Sequence, residues 1–163
     1  MAFGGILFGT TPTAAELSNP AVEKVTVSVG GVSTVLVPFP HKYIQLSSWE
    51  TNPNQREEIK AYRDDNTRNL TRYTAAGMKT SIKFKTRPFL HLVEKTEIQK
   101  FFTDHEADAE AQLQRKVSIT FWNDETNDYQ TGFFYRPNMA FTIEKISGTD
   151  IVYREFQFEL VEY

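Results

Sequence analysis

With 163 residues, 40% of them hydrophobic, the chain has the length of one domain and enough apolar sequence for a real core. It contains no cysteine, which excludes disulfides and thiolate metal sites. Its formal net charge of −3 argues against a surface that binds nucleic acid, because such binding depends on clustered Lys and Arg that displace counterions from phosphates.

The first 22 residues are predicted to form an extended arm. The opening stretch, residues 1–10, is apolar but too short to span a bilayer, and it lacks the basic first region of a secretory signal. We therefore expect neither export nor membrane insertion. An apolar arm needs a groove, either on its own subunit or on a neighbour, and both alternatives stay open. The arm residues predicted as a subunit interface are Phe3, Ile6, Leu7 and Phe8.

Residues 23–163 are predicted to form a single β-rich domain that begins with a hairpin. Two β-branched runs within residues 24–37 flank Gly30-Gly31, a pair able to take the positive φ angles of a tight turn. A further short strand is predicted over residues 43–49, where apolar and polar side chains alternate.

The stretch from residue 50 to residue 77 is predicted to be a long polar loop. It is rich in Asn, Arg, Asp and Thr, and it contains Asn52-Pro53, a pair that disfavours helix. A structureless segment of this length is unusual in a compact domain unless it has a function, such as being ordered by a neighbouring subunit. The loop residues predicted to contact that neighbour are Tyr62, Arg63, Arg68 and Arg72.

One helix is predicted, over about residues 96–104. Thr96 is an acceptable N-cap, and three apolar side chains follow at the spacing of a single stripe: Ile98, Phe101 and Phe102. The helix is expected to pack on a sheet, after a strand over residues 79–86. The acidic run 104–110 is either a continuation of the helix or a loop.

The last third of the chain predicts a run of amphipathic strands. Apolar and polar residues alternate over 116–121, 129–135, 140–146 and 155–160, which is typical of sheets with one buried face. Polar turns between these strands predict two hairpins. The predicted fold is therefore mainly β with one helix (α+β), arranged as an antiparallel β-sandwich or barrel.

No group of residues predicts catalysis, a cofactor or a metal. The acidic run 104–110 resembles a calcium loop only in its alternation, because Ala109 and Arg115 occupy the positions that need glycine and glutamate. The three histidines, His41, His91 and His105, lack the spacing of a zinc site. We expect the protein not to be an enzyme.

Exposed aromatic side chains would support a different function, the binding of carbohydrate. A stacking platform for sugars would use Trp49, Trp122 and the tyrosines between residues 129 and 135. Packing in a core or an interface is the commoner use of such residues, so this function is kept as the alternative.

Four segments of the sequence resemble a functionally uncharacterised family of phage and prophage proteins from Gram-positive bacteria, typically encoded among tail genes. The segments that carry the resemblance are residues 54–66, 116–129, 131–137 and 158–163. The likeness spans roughly residues 41–163 and includes the order of the segments. The family carries no catalytic motif that could be transferred to this chain.

The resemblance implies a structural protein of the virion tail: a tube, a hub between tube and baseplate, or a ring at either end. Proteins similar to tail-tube subunits are small β-sandwiches or barrels with a flanking helix and a long loop that contacts the next subunit. The implied partners are further copies of the chain and other tail proteins, with DNA only in transit through a lumen. Assembly in the cytoplasm of a bacterial host is likewise implied.

Overall fold

The computed structural model describes residues 3–106, 108–136 and 138–163. The strands of this part, labelled in chain order, are β1 (Phe8–Thr10), β2 (Val25–Val29), β3 (Val32–Pro38), β4 (Glu50–Gln55), β5 (Glu58–Arg63), β6 (Leu70–Thr74), β7 (Lys79–Lys85), β8 (Leu90–His91), β9 (Lys116–Asn123), β10 (Asp128–Tyr135), β11 (Ile143–Ser147), β12 (Asp150–Tyr153) and β13 (Gln157–Glu162). The helices are α1 (Ala14–Ser18), α2 (Leu92–Thr103) and α3 (Ala109–Gln114). The predicted mainly β, antiparallel fold class is confirmed.

Eight of the strands form one sheet in the order β2-β3-β1-β9-β10-β13-β7-β4. An additional parallel contact pairs Val29 of β2 with Tyr129 of β10, so the five strands β2, β3, β1, β9 and β10 close into a ring. The sheet is thus barrel-like on one side and open on the other, where β4 is the edge strand. Two smaller sheets, β11-β12-β8 and β5-β6, complete the described strands.

The β9–β10 hairpin separates two hydrophobic cores, because successive residues of a strand face opposite sides of a sheet. Phe121 and Phe134 point into the main core, which α2 covers. Trp122 and Tyr129 form a cross-strand pair on the opposite face and belong to a second, smaller core. The remaining buried members of that second core are Ile6, Val27 and Leu36.

Several predicted elements are present as expected. The β2–β3 hairpin turns at Gly30-Gly31, whose φ angles of 57° and 84° confirm the need for glycine. The predicted hairpins of the last third are β9–β10 and β11–β12. β13 buries Phe158 and Leu160, as its alternation predicts.

The prediction of an extended N-terminal arm is wrong. β1 lies in the interior of the main sheet, between β3 and β9, and Phe8 is fully buried with its ring 4.8 Å from that of Phe39. A Cβ at Gly9 would lie 2.7 Å from the carbonyl oxygen of Val37, so glycine is what lets β1 approach β3. The groove that receives this segment therefore belongs to the same subunit.

Residues 50–77 are also more regular than predicted. They contain β4 and the β5–β6 hairpin instead of a structureless loop. Pro53 is tolerated because β4 is an edge strand and its pairing with β7 shifts register between Asn52 and Gln55.

The predicted strand over residues 43–49 is replaced by two turns of 3₁₀ helix, His41–Tyr43 and Leu46–Ser48. The segment keeps one isolated bridge, between Ile44 and Thr86. At this bridge the backbone of Gln45 donates to the carbonyl of Lys85 and the backbone of Arg87 donates to the carbonyl of Tyr43, while on either side the local bonds of the two turns replace strand pairing.

Helix α2 starts four residues earlier than predicted, at Leu92. Thr96 is not its N-cap, because the Thr96 hydroxyl donates to the carbonyl of Leu92 inside the helix, at 2.8 Å. Glu94 accepts a hydrogen bond from the backbone of His91 at the true start. The single predicted helix is joined by α1 and α3, and the acidic run contains the start of α3.

The strand predicted over residues 140–146 begins only at Ile143 and buries neither of its faces. Ile143 and Phe141 are exposed, contrary to the alternating pattern. The reason is that β11 is the outer strand of the small β11-β12-β8 sheet and not part of the main one.

Candidate assembly surface

The β5–β6 hairpin stands apart from the rest of the protein. At its base the backbone of Ala75 donates to the carbonyl of Glu57 at 2.8 Å, so the two strands enter and leave side by side. At its tip the carboxylate of Asp64 accepts hydrogen bonds from the backbones of Asn66 and Thr67, at 2.9 and 2.7 Å. Asp64 therefore holds the turn at the tip of the hairpin.

The two faces of the hairpin differ in chemistry. Residues opposite each other in an antiparallel pair share a face, and the register pairs Arg63 with Leu70 and Ala61 with Arg72. This first face carries an aliphatic side chain between two guanidinium groups. The second face carries two tyrosines and a lysine: Tyr62, Tyr73 and Lys60.

The apolar side chains of the hairpin are left in solvent. Leu70 is 50% exposed, Tyr62 47% and Tyr73 53%, and Ile59 at the register shift is 71% exposed. A two-stranded hairpin alone is marginally stable in water and normally needs a third element to pack on. The hairpin is therefore the part of the described chain that most clearly lacks a packing partner.

The structure separates the predicted interface residues into two groups. Tyr62, Arg63, Arg68 and Arg72 are all exposed and lie together in the hairpin. Arg72 forms an ion pair with Glu58 at 2.6 Å, and the carbonyl of Arg68 accepts from the Arg63 side chain. Their contact with a neighbour stays a prediction.

The four N-terminal residues of the predicted interface lie outside the hairpin and pack within their own subunit. Ile6 and Phe8 are buried in the second and main cores, so the prediction that they contact a neighbour is wrong. Leu7 is half-buried against the main core. Phe3 is half-exposed, but its ring packs edge-on against Trp122 at 5.3 Å.

A second exposed aromatic patch lies on the β9–β10 hairpin. One face of the β9–β10 hairpin carries the second core at one end. The other end of the same face is uncovered and exposes Phe133 and Tyr135. The amine of Lys116 lies 4.9 Å from the Phe133 ring and 4.5 Å from the Tyr163 ring. The strand alternation indicated Phe133 and Tyr135 on one face, but no sequence signal told which part of that face is covered.

The aromatic side chains expected in a carbohydrate platform do not form one. Trp49 packs against Phe8 and Phe84 beside the main core, and Tyr129 is buried with its hydroxyl donating to the carbonyl of Ile6. Trp122 is covered by the ring of Phe3. The sequence pattern does not indicate that N-terminal residues cover these rings.

The acidic run 104–110 is only partly a solvated edge. Glu106 is buried and lies 3.7 Å from the guanidinium of Arg136, which is buried as well. Burial raises the pKa of Glu106, although Arg136 opposes this, and burial lowers the pKa of Arg136. Asp108 caps α3 by accepting from the backbone of Ala111.

The histidines hold local structure. The Nδ1 of His105 lies 2.6 Å from the carbonyl of Phe101 and its Nε2 lies 2.7 Å from the Glu16 carboxylate. The ring of His105 therefore connects the end of α2 to α1. His41 accepts from the backbone of Leu7 and His91 contacts Asp150.

Within residues 3–106, 108–136 and 138–163, no group of three or more His, Asp or Glu side chains is arranged to hold a metal ion. In the same ranges, every helix is too short or too polar to cross a bilayer.

Comparison with known proteins gives a family and a distant likeness among solved structures. No curated protein matches the sequence. Among solved structures, a chain from the tail of an empty GTA particle with C6 symmetry is similar at a TM-score of 0.41 and 9% identity, over 90% of this chain and 94% of that one. This likeness is too distant to assign a function. The model of a family of unknown function, DUF6711, matches residues 30–163, and the chain therefore belongs to the DUF6711 family.

Proposed function

We propose that the protein is a structural component of a bacteriophage tail, which assembles into rings or a tube by contacts between copies. The four sequence segments that resemble tail-encoded phage proteins support the tail assignment. The unpartnered β5–β6 hairpin supports assembly, and it is the observation that carries the proposal.

The hairpin favours assembly because its composition fits an interface better than a solvated loop. It presents Tyr and Arg, which are enriched in protein interfaces, on a pair of strands. Its tip is held by the Asp64 hydrogen bonds, which lowers the conformational entropy that docking costs. The two strands pair only with each other, so docking on a partner would supply the packing that they lack.

The finer features of this role are part of the same proposal. The protein would act without catalysis or a cofactor, as tube, hub or end ring in the tail of a phage of Gram-positive bacteria. It would be assembled in the host cytoplasm, with other tail proteins as further partners. The net charge of −3 would let DNA pass a lumen without capture, since like charges repel. Glu106 cannot contribute to a lumen surface because it is buried.

The test is to delete the hairpin and compare assembly with the complete chain. Residues 58–74 are replaced by Asn-Gly, which can join the adjacent backbones of Glu57 and Ala75 in a tight turn. We expect the complete chain to form rings or tubes in electron micrographs and to sediment as an oligomer. The deletion variant should sediment as a monomer.

A matched control separates assembly from folding. The hairpin contributes nothing to either core, so the deletion should change the free energy of unfolding by less than about 1 kcal/mol. Changing Ile146 to Ser alters an equally exposed apolar residue outside the hairpin and should leave assembly intact. A complete chain that stays monomeric at high concentration, and is missing from purified phage particles, would contradict the proposal.

A further inference from the structure

The first face of the hairpin has a definite chemical character. Leu70 is half-exposed, and the guanidinium groups of Arg63 and Arg72 lie beside it on the same face. Residues 58–74 carry four cationic side chains against three carboxylates, of which Asp64 is used in the turn and Glu58 is paired with Arg72. The surface that complements this face is an apolar groove with an acidic rim.

One groove of the protein has that character. It lies between α2 and the chain that leads into and out of the β2–β3 hairpin, and it has a volume of about 540 Å³. Its apolar lining includes Val37, Pro38 and Val93, and Val93 is 77% exposed. We call it the α2 groove.

The rim of the α2 groove is negatively charged. Four carboxylates line it against one lysine: Glu16, Glu23, Glu97 and Asp104, with Lys100. Glu97 already accepts from the Tyr43 hydroxyl and Glu16 is paired with His105. Glu23 and Asp104 are exposed; Asp104 lies 4.0 Å from the amine of Lys100 in a surface ion pair, so a cationic partner would compete with that lysine there.

The hairpin and the start of the α2 groove lie at opposite ends of one strand. β7 has seven residues, which separate its ends by about 20 Å at the rise of a strand. The hairpin precedes Lys79 at one end, and the chain enters α2 after Lys85 at the other. When it is repeated in one direction from copy to copy, a contact between these two surfaces is heterologous, and heterologous contacts generate rings or filaments.

We infer that the α2 groove of one copy receives the hairpin of the next copy, with Leu70 on its apolar floor and Arg63 and Arg72 at the carboxylates of its rim. This inference rests on the proposed assembly function and names the receiving surface. The aromatic patch around Phe133 is the rival receptor, but Lys116 lies across it and would repel the guanidinium groups.

The test uses engineered disulfides, for which the absence of cysteine from the chain leaves no background. Two single variants, Leu70→Cys with an affinity tag and Val93→Cys without one, are mixed under assembly conditions and oxidised. Only a contact between copies can yield the mixed dimer. Because a disulfide requires Cα atoms within about 7 Å, we expect about tenfold more mixed dimer than with a cysteine placed outside the groove.

Leu113→Cys provides that outside position, since Leu113 is 88% exposed on α3. If the mixtures sediment as oligomers but Leu70→Cys joins Leu113→Cys as well as Val93→Cys, the α2 groove is not the receptor and the proposed assembly stands. If nothing assembles and no mixed dimer forms, both the inference and the proposed function fail.

Charge reversal gives an independent readout. Arg63→Glu with Arg72→Glu, or Glu23→Lys with Asp104→Lys, should each abolish assembly of the chain that carries them. A chain with all four changes should assemble again, because the attraction is restored with opposite signs. Failure of this rescue in a folded protein would overturn the inference.

Discussion

At the scale of single residues, the Glu106–Arg136 pair is the most costly charge arrangement in the described chain. The Glu106 side chain is 6% exposed and that of Arg136 13%, so both charges have lost most of their water. Their separation of 3.7 Å exceeds a hydrogen bond, so their attraction is mainly coulombic, and Arg115 adds a second positive charge near Glu106. The pair joins the segment after α2 to the segment after β10.

Removing one member of this pair should destabilise the protein far more than removing both. We expect Glu106→Gln to lower the free energy of unfolding by about 3 kcal/mol, because Arg136 is then a buried charge without its partner. The double variant Glu106→Met, Arg136→Met should recover most of that loss. Urea denaturation of the unchanged protein, Glu106→Gln and the double variant measures both effects.

The exposed ion pair of Arg154 with Glu144 is the control for that comparison. Surface ion pairs contribute about 1 kcal/mol or less, so Arg154→Ala should change stability little. If Glu106→Gln and the double variant lose the same free energy of unfolding, the pair stabilises the protein through its packing and not through its charges.

At the scale of elements, the position of β1 makes the N-terminal segment part of its own subunit's main sheet. Its three residues fill the gap between β3 and β9, and Phe8 contacts the rings of Phe39, Trp49 and Phe84. The segment is therefore part of the main core and contributes to the stability of a single subunit.

Phe8→Ala should lower the free energy of unfolding of the protein by about 3–5 kcal/mol, because it leaves a cavity in a core that cannot collapse around it. The measurement is chemical denaturation at a concentration where the protein is monomeric. Leu17→Ala changes an exposed apolar residue of α1 and should have little effect. If the monomer keeps its free energy of unfolding after Phe8→Ala, this segment does not stabilise its own subunit, and docking on a neighbour would be the better interpretation.

The elements that sequence alone predicts correctly are those with strong alternation or a required turn residue. Phe158 and Leu160 of β13 and the glycines at 30 and 31 belong to this group. The β5–β6 hairpin was missed because neither of its faces is buried, so no apolar period marks its strands. β1 was missed because three residues are too few for a period, and its place depends on pairing with residues more than 100 positions away.

The sequence places some of the residues used in the candidate site, but their role is untested. Arg63, Arg68 and Arg72 are predicted because an unusually long polar segment indicates a function, and their contact with a neighbour stays a prediction. The α2 groove was not found, since its walls come from distant parts of the chain and only the tertiary structure brings Glu23 next to Asp104. Composition limits the type of partner, but it does not reveal where the receiving surface lies.

At the scale of the whole molecule, the two cores and the hairpin should differ in how readily they open. Backbone amides in β9 are hydrogen-bonded between two strands and lie beside both cores. Amides in β5 and β6 pair only with each other, and their side chains are solvated. Local opening is easiest where few apolar contacts must be broken.

Hydrogen exchange followed by mass spectrometry should therefore report assembly at the hairpin. In the monomer we expect peptides from residues 58–74 to exchange far faster than those from β9. Assembly should slow the exchange of the hairpin and leave β9 unchanged, because docking gives the hairpin the packing that it lacks. The Leu70→Ser variant should keep fast exchange under the same conditions. Slow exchange of the hairpin in the monomer would mean that its own subunit already stabilises it, and a partner would then be unnecessary.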